Sequence, residues 1–191
     1  MKAIEKTRKF LKKYRHAWVL LYILIYMPWF LYLEQRSSVH YYVIHSPIDN
    51  HIPFIEYFII PYLLWFVFIA VTMGYFFFTD KWGFYRLSAF MFTGMTLFLI
   101  ICTVFPNALN LRPVTFARDN IFVDLVKFIY RADTPTNVLP SIHVFNSIAV
   151  CVAISHSDAL RKHRKVQCSA YVLAFLIILS TMFLKQHSVT D

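Results

Sequence analysis

Apolar and polar residues fall along this chain in long blocks rather than in the short alternations of strands or of half-buried helices. Residues 57–78, YFIIPYLLWFVFIAVTMGYFFF, carry no charge across 22 positions. Residues 87–105 and 166–184 are likewise uncharged, and 17–33 forms another apolar run. About 17–25 such residues carry a helix across a bilayer, so each of these four runs predicts a spanning helix. Val138–His156 is a fifth and weaker run, because it contains His143, Asn146 and several serines. The pattern therefore predicts an all-α integral membrane protein with five spanning helices. The first run is too long for the apolar core of a cleaved leader. Pro28 and Trp29 also interrupt it, and no small-residue cleavage site follows.

Composition agrees with this pattern: 59% of the 191 residues are hydrophobic and 15% are charged, against about a quarter charged in a soluble domain. The net charge of +9 raises nucleic acid as a partner, but the placement of the charge argues against it. Seven Lys and Arg precede the first run, Lys81 and Arg86 flank the next but one connection, and four fill RKHRK at 161–165. In a chain that alternates through a bilayer these segments fall on one side, and basic residues in short loops mark the cytoplasmic side. The expected arrangement is a basic cytoplasmic tail over residues 1–16 and a helical bundle over 17–191 in the plasma membrane. Segments 34–55, 106–139 and the stretch after 184 are then expected outside. Cys102, Cys151 and Cys168 lie in apolar runs without metal or redox spacing and read as small buried hydrophobes. The pattern encodes no oligomeric state.

Three polar clusters fall at one depth in this scheme: NLRPVTFARDN, LPSIHVFNS and KQHSVTD. Ionisable groups at the edges of spans are costly and usually functional. Pro140 suits the first turn of a helix, leaving the N–H groups near Ser141 free for an anion, with His143 beside them. His187 and Asp191 stand four residues apart, the spacing that places both on one helical face within hydrogen-bonding reach. A carboxylate on one imidazole nitrogen leaves the other basic, ready to act as general base or nucleophile. Arg112 offers a planar cationic fork that matches phosphate. Arg118, Lys127, Arg131 and Lys185 belong to the same layer, Lys185 reading as an interfacial anchor. IFVDLVKFIY places Asp124, Lys127 and Arg131 on one face of a short helix, either at the membrane interface or packed on the bundle.

Together the clusters equip a site for phosphoryl transfer through one histidine, with a second histidine protonating the leaving oxygen. No group of carboxylates suited to magnesium is visible, which points to chemistry without metal or cofactor. One alternative is zinc held by His143, His187 and Asp191. Another is a non-catalytic lipid-binding or transport protein that uses Arg112 and the helix start at Ser141.

The order of Arg112-Pro113, then PSIH at 140–143, then Ser180, His187 and Asp191 resembles the three signatures of the type 2 phosphatidic acid phosphatase superfamily. That superfamily includes lipid phosphatases, vanadium haloperoxidases, and the sphingomyelin and inositol phosphorylceramide synthases. The resemblance covers residues 105–191. It implies six spanning helices, the sixth following Asp191, with the signatures on the non-cytoplasmic side. It also implies a phosphorylated lipid as substrate and His187 as the nucleophile that forms a phosphohistidine. Asp191 would orient His187, His143 would be the acid, and Arg112 and Ser141 would bind the phosphate. Phe105 and Thr181 stand where the family has a lysine and an arginine. These departures resemble the phosphotransferase branch, related to inositol phosphorylceramide synthases, and make Arg118 the candidate compensating cation.

Overall fold

The structure, a computed structural model, describes residues 12–36 and 39–191 together with Glu5 and Lys9. Most of the expected basic tail over 1–16 lies outside the described residues. Nearly all regular structure is helical. Helix α1 spans Arg15–Glu34, its first part wound as a tighter 3-10 helix over Arg15–Tyr22. It is followed by α2 (Glu56–Thr79), α3 (Lys81–Val104), α4 (Ile121–Ala132), α5 (Ile142–His156) and α6 (Arg164–Phe183). Two short strands, β1 (Tyr42–Val43) and β2 (Asn107–Ala108), pair in parallel.

Among the described residues four helices, α1, α2, α3 and α6, are long and apolar enough to cross a membrane. The expected fifth span is shorter than predicted. Its 15 helical residues rise about 22 Å, less than the roughly 30 Å of a bilayer's hydrocarbon core. The reason is local. Val138 and Leu139 donate their N–H groups to the side chain of Asn107, and Ser141 caps the helix, so Pro140 precedes the cap instead of sitting in the first turn.

Despite its length, α5 is the centre of the bundle, packing against α2, α3 and α6. Its small face, Ala149 and Val150, is fully buried against Phe68, Phe76, Leu87, Met91, Ala174 and Ile177. Close approach to α3 depends on Gly94, where a Cβ would lie 2.1 Å from the Phe145 ring. Helix α1 covers the outer side of α3. Tyr26 and Leu33 pack with Phe98, Leu99 and Cys102 there, and Trp29 Nε1 donates to Thr103 Oγ1 at 3.0 Å. Cys102 is buried and Cys151 half-buried, but Cys168 is exposed on α6, unlike the buried hydrophobe expected from its apolar surroundings.

The segment between α3 and α5 is built around Asn107, which is fully buried. Its Oδ1 accepts from Val138 and Leu139 N–H, both at 2.8 Å, and its Nδ2 donates to Phe105 O at 2.9 Å. Asn120 opens α4 by accepting from the N–H groups of Phe122 and Val123 at 3.0 Å each. The inner face of α4 buries Val126 against Ile59, Tyr62 and Leu184. Its charged face holds Lys127 at 3.5 Å from Asp124 and 3.6 Å from Asp119.

Replacing Asn107 by Ala strands two N–H groups away from water, each costing about 1–3 kcal/mol. Asn107→Ala is therefore expected to lose on the order of 3 kcal/mol in denaturant unfolding of the detergent-solubilised protein. A loss within about 0.5 kcal/mol, the scatter of ordinary surface changes, would contradict the role given to Asn107.

Candidate active site

The helix α6 ends abruptly at Phe183. Leu184 caps it, and Lys185 takes the left-handed region at φ 52°. The N–H of Lys185 bonds to Met182 O at 3.0 Å and that of Gln186 to Thr181 O at 2.9 Å, the paired closure of a Schellman end. A non-glycine residue in this region costs about 1–2 kcal/mol. Lys185 offsets that cost by burying its ammonium, whose Nζ donates to Asp49 O at 2.8 Å and Ile52 O at 2.6 Å. Burial lowers its pKa, and the Asp49 charge opposes part of the shift. Lys185 is thus an internal tie and not the interfacial anchor expected from sequence.

Because α6 stops there, His187 and Asp191 meet across a turn and not along a helix. Asp191 Oδ2 accepts from His187 Nδ1 at 3.0 Å and from the N–H of Ser188 at 3.0 Å. Asp191 Oδ1 is buried with no partner. The other imidazole nitrogen, Nε2, lies 3.4 Å from Nδ1 of His143. With both rings neutral, the carboxylate fixes the His187 proton on Nδ1, so Nε2 accepts from His143 Nδ1–H. Both histidines are 8% exposed. His143 projects from the first turn of α5, its ring 4.4 Å from that of Trp65 and 4.8 Å from that of Tyr62. Residues 143, 187 and 191 thus form one hydrogen-bonded chain across two elements.

The other residues singled out by sequence are placed differently. Ser141 is buried and caps α5, its hydroxyl accepting from Val144 N–H at 3.4 Å. Arg112 is half-buried with its ring-facing side 4.5 Å above Tyr130. Its fork is already occupied. One terminal nitrogen donates to Tyr130 O and Asp133 O at 3.2 and 2.8 Å, the other to Thr134 O at 3.2 Å and to Gln186 Oε1. Only its Nε is buried without a partner. Arg118 pairs with Glu56 at 3.0 Å, leaving the His187 turn without a direct contact from it. Among the described residues no group of three or more His, Cys, Asp and Glu is placed to hold a metal ion.

Beside His187 lies a chamber of about 50 Å³, whose lining includes Glu34, Asp133, Thr134, Asn137 and Gln186. Glu34 accepts from Asn137 Nδ2 at 2.7 Å and from the Thr134 hydroxyl. Burial and the neighbouring Glu34 push the Asp133 pKa up to about 6, against the lowering pull of Arg112 and His187. Neither carboxylate stood out in the sequence. The polar run Arg131–Asn137 between two apolar stretches was the available signal for Asp133. Asp49 was also overlooked, although Ser46 and Asp49 carry the spacing of a capping box.

Asp49 holds the His187 turn from outside. It is 2% exposed and accepts from Ser188 Oγ at 2.6 Å, Val189 N–H at 2.9 Å and Ser46 N–H at 2.7 Å. Burial raises its pKa, but these hydrogen bonds outweigh it and hold the carboxyl below its ordinary range. A carboxyl whose pKa falls on folding stabilises above its unfolded value, and that contribution is lost as pH drops through the folded one. Asp49→Asn should therefore destabilise the protein at neutral pH by on the order of 2–3 kcal/mol. The gap between the native and variant unfolding curves should narrow only in strong acid. A gap that stays constant from neutral pH to below pH 3 would count against this role. Compared with known proteins, the chain matches no family model, no curated protein and no solved structure.

Proposed function

We propose that this chain is a membrane enzyme acting on the phosphate of a phosphorylated lipid through a phosphohistidine on His187. The observation that carries the reading is the buried chain Asp191–His187–His143 at one end of a bundle with four helices long and apolar enough to span a bilayer. A carboxylate–imidazole pair at that place costs free energy to keep away from water, and its arrangement is that of an activated nucleophile. The order of the residues resembles the type 2 phosphatidic acid phosphatase superfamily, and the reading adopts that superfamily's roles for them.

In this reading Asp191 holds the Nδ1 proton of His187 and leaves a lone pair on Nε2. At rest that lone pair faces His143, 3.4 Å away, so an arriving phosphate separates the two rings. Nε2 then bonds to phosphorus as the phosphorus–oxygen bond to the leaving group breaks. His143 takes up the proton that the lipid phosphate monoanion brings in, and as an imidazolium passes it to the departing oxygen and returns to the neutral ring. The first-turn N–H groups of α5 behind Ser141 face the phosphate with the positive end of the helix dipole. Arg112, with its fork spent on carbonyl groups, contributes its charge from behind and orders the loop after α4. The basic residues at the opposite ends of α2, α3 and α6 support a reading with the active end on the outer side of the plasma membrane and the amino terminus cytoplasmic.

Phosphate release from a panel of lipid phosphates by the full chain in mixed micelles tests the reading. His187→Ala should lower turnover by at least 10³-fold and Asp191→Asn by 10²–10⁴-fold, the span usual for such groups. A His187→Ala variant with native turnover refutes the enzyme reading. Lipid binding without turnover across the panel would favour a non-catalytic lipid-binding or transport protein instead.

A further inference from the structure

The chamber beside His187 has dimensions that bear on how the phosphoryl group leaves the enzyme. Its volume of about 50 Å³ is room for a few waters, each needing about 10–15 Å³ of probe-occupied space. Glu34 is engaged by Thr134 and Asn137, and Gln186 Oε1 by Arg112. Asp133 differs from them. Its main chain is fixed on both sides, N–H to Ile129 O at 2.9 Å and carbonyl to Arg112 at 2.8 Å. Its carboxylate has no hydrogen-bond partner among the described residues, and it lines the same chamber as His187.

We propose that this chamber holds the water that accepts the phosphoryl group, and that Asp133 is the base that takes the water's proton. The proposal rests on the phosphohistidine reading above and decides between water and an alcohol as acceptor. As the water oxygen bonds to phosphorus, the bond from Nε2 of His187 to phosphorus breaks and its electron pair returns to the imidazole. One water proton passes to Asp133 and inorganic phosphate leaves. That proton leaves with the phosphate, which returns Asp133 to the carboxylate. The charged groups around Asp133 suit this part. Glu34 on α1 and burial favour its protonated form, while Arg112 and His187 favour the carboxylate. Tyr26 on α1 and Tyr62 on α2 also lie within its electrostatic reach. The balance leaves a base with a pKa of about 6, within the range that suits general-base catalysis.

The test is rapid-quench kinetics on the full chain with radiolabelled dioctanoyl phosphatidic acid in detergent micelles, following phosphoenzyme formation and decay separately. Asp133→Asn should form the phosphoenzyme at the native rate and lose it at least 10²-fold more slowly, so that the intermediate accumulates. Asp133→Glu should recover much of the decay rate. In heavy-oxygen water the native protein should release labelled inorganic phosphate, with no glycerol phosphate when glycerol is present in excess. Native decay in Asp133→Asn, or phosphoryl transfer to glycerol, overturns this inference alone. Equal slowing of formation and decay marks a structural role for Asp133 and overturns it as well. Turnover by the native chain without any phosphoenzyme overturns the underlying reading instead.

Discussion

A buried ammonium held by two carbonyl groups decides where α6 ends. The bonds from Lys185 Nζ to Asp49 O and Ile52 O stabilise a left-handed residue that a helix former would otherwise avoid. Each charge-assisted bond is worth about 1.5–3 kcal/mol, more than the conformational cost of about 1–2 kcal/mol. Had α6 run straight on, the residues after Leu184 would have followed its axis. The break instead brings His187 to within 3.4 Å of a residue in the first turn of α5. The same short segment, residues 46–52, supplies the Asp49 carboxylate that fastens Ser188 and Val189. The helix ending and the site geometry are thus one construction.

A second constraint comes from putting charge at the end of an apolar bundle. Buried polar groups must find partners, and here most of them find backbone. Asn107 satisfies the approach to α5, and Arg112 satisfies the carbonyls that α4 leaves open at its end. Such bonds order the two loops that border the chamber. Among the described residues, buried groups without a hydrogen-bond partner near His187 and His143 include Asp191 Oδ1, Arg112 Nε and Trp65 Nε1.

The four long helices were legible because uninterrupted apolar runs have one physical reading at that length. The short α5 was misjudged because its run began four residues before the helix, in a segment whose N–H groups go to Asn107 rather than into helical bonds. The spacing of His187 and Asp191 announced a contact but not its geometry. Nothing in LKQHSVTD announces a left-handed lysine, since glycine is the usual residue there. Arg112 illustrates the converse: its chemistry suits phosphate, yet carbonyl groups 18 to 22 positions away in the chain occupy its fork. Glu34, Asp49 and Asp133 are not marked in the sequence because their importance lies in neighbours brought by folding from α1, the loop between α1 and α2, and the segment after α4.

The most direct measurement is acid-sensitive phosphohistidine mapping. The full chain would be quenched during turnover of a labelled lipid phosphate and digested under alkaline conditions, and the modified residue located by mass spectrometry. The expected result is a phosphoryl group on Nε2 of His187 that disappears as substrate is exhausted. Turnover with the label on another residue, or with His187 never modified, would contradict the central claim.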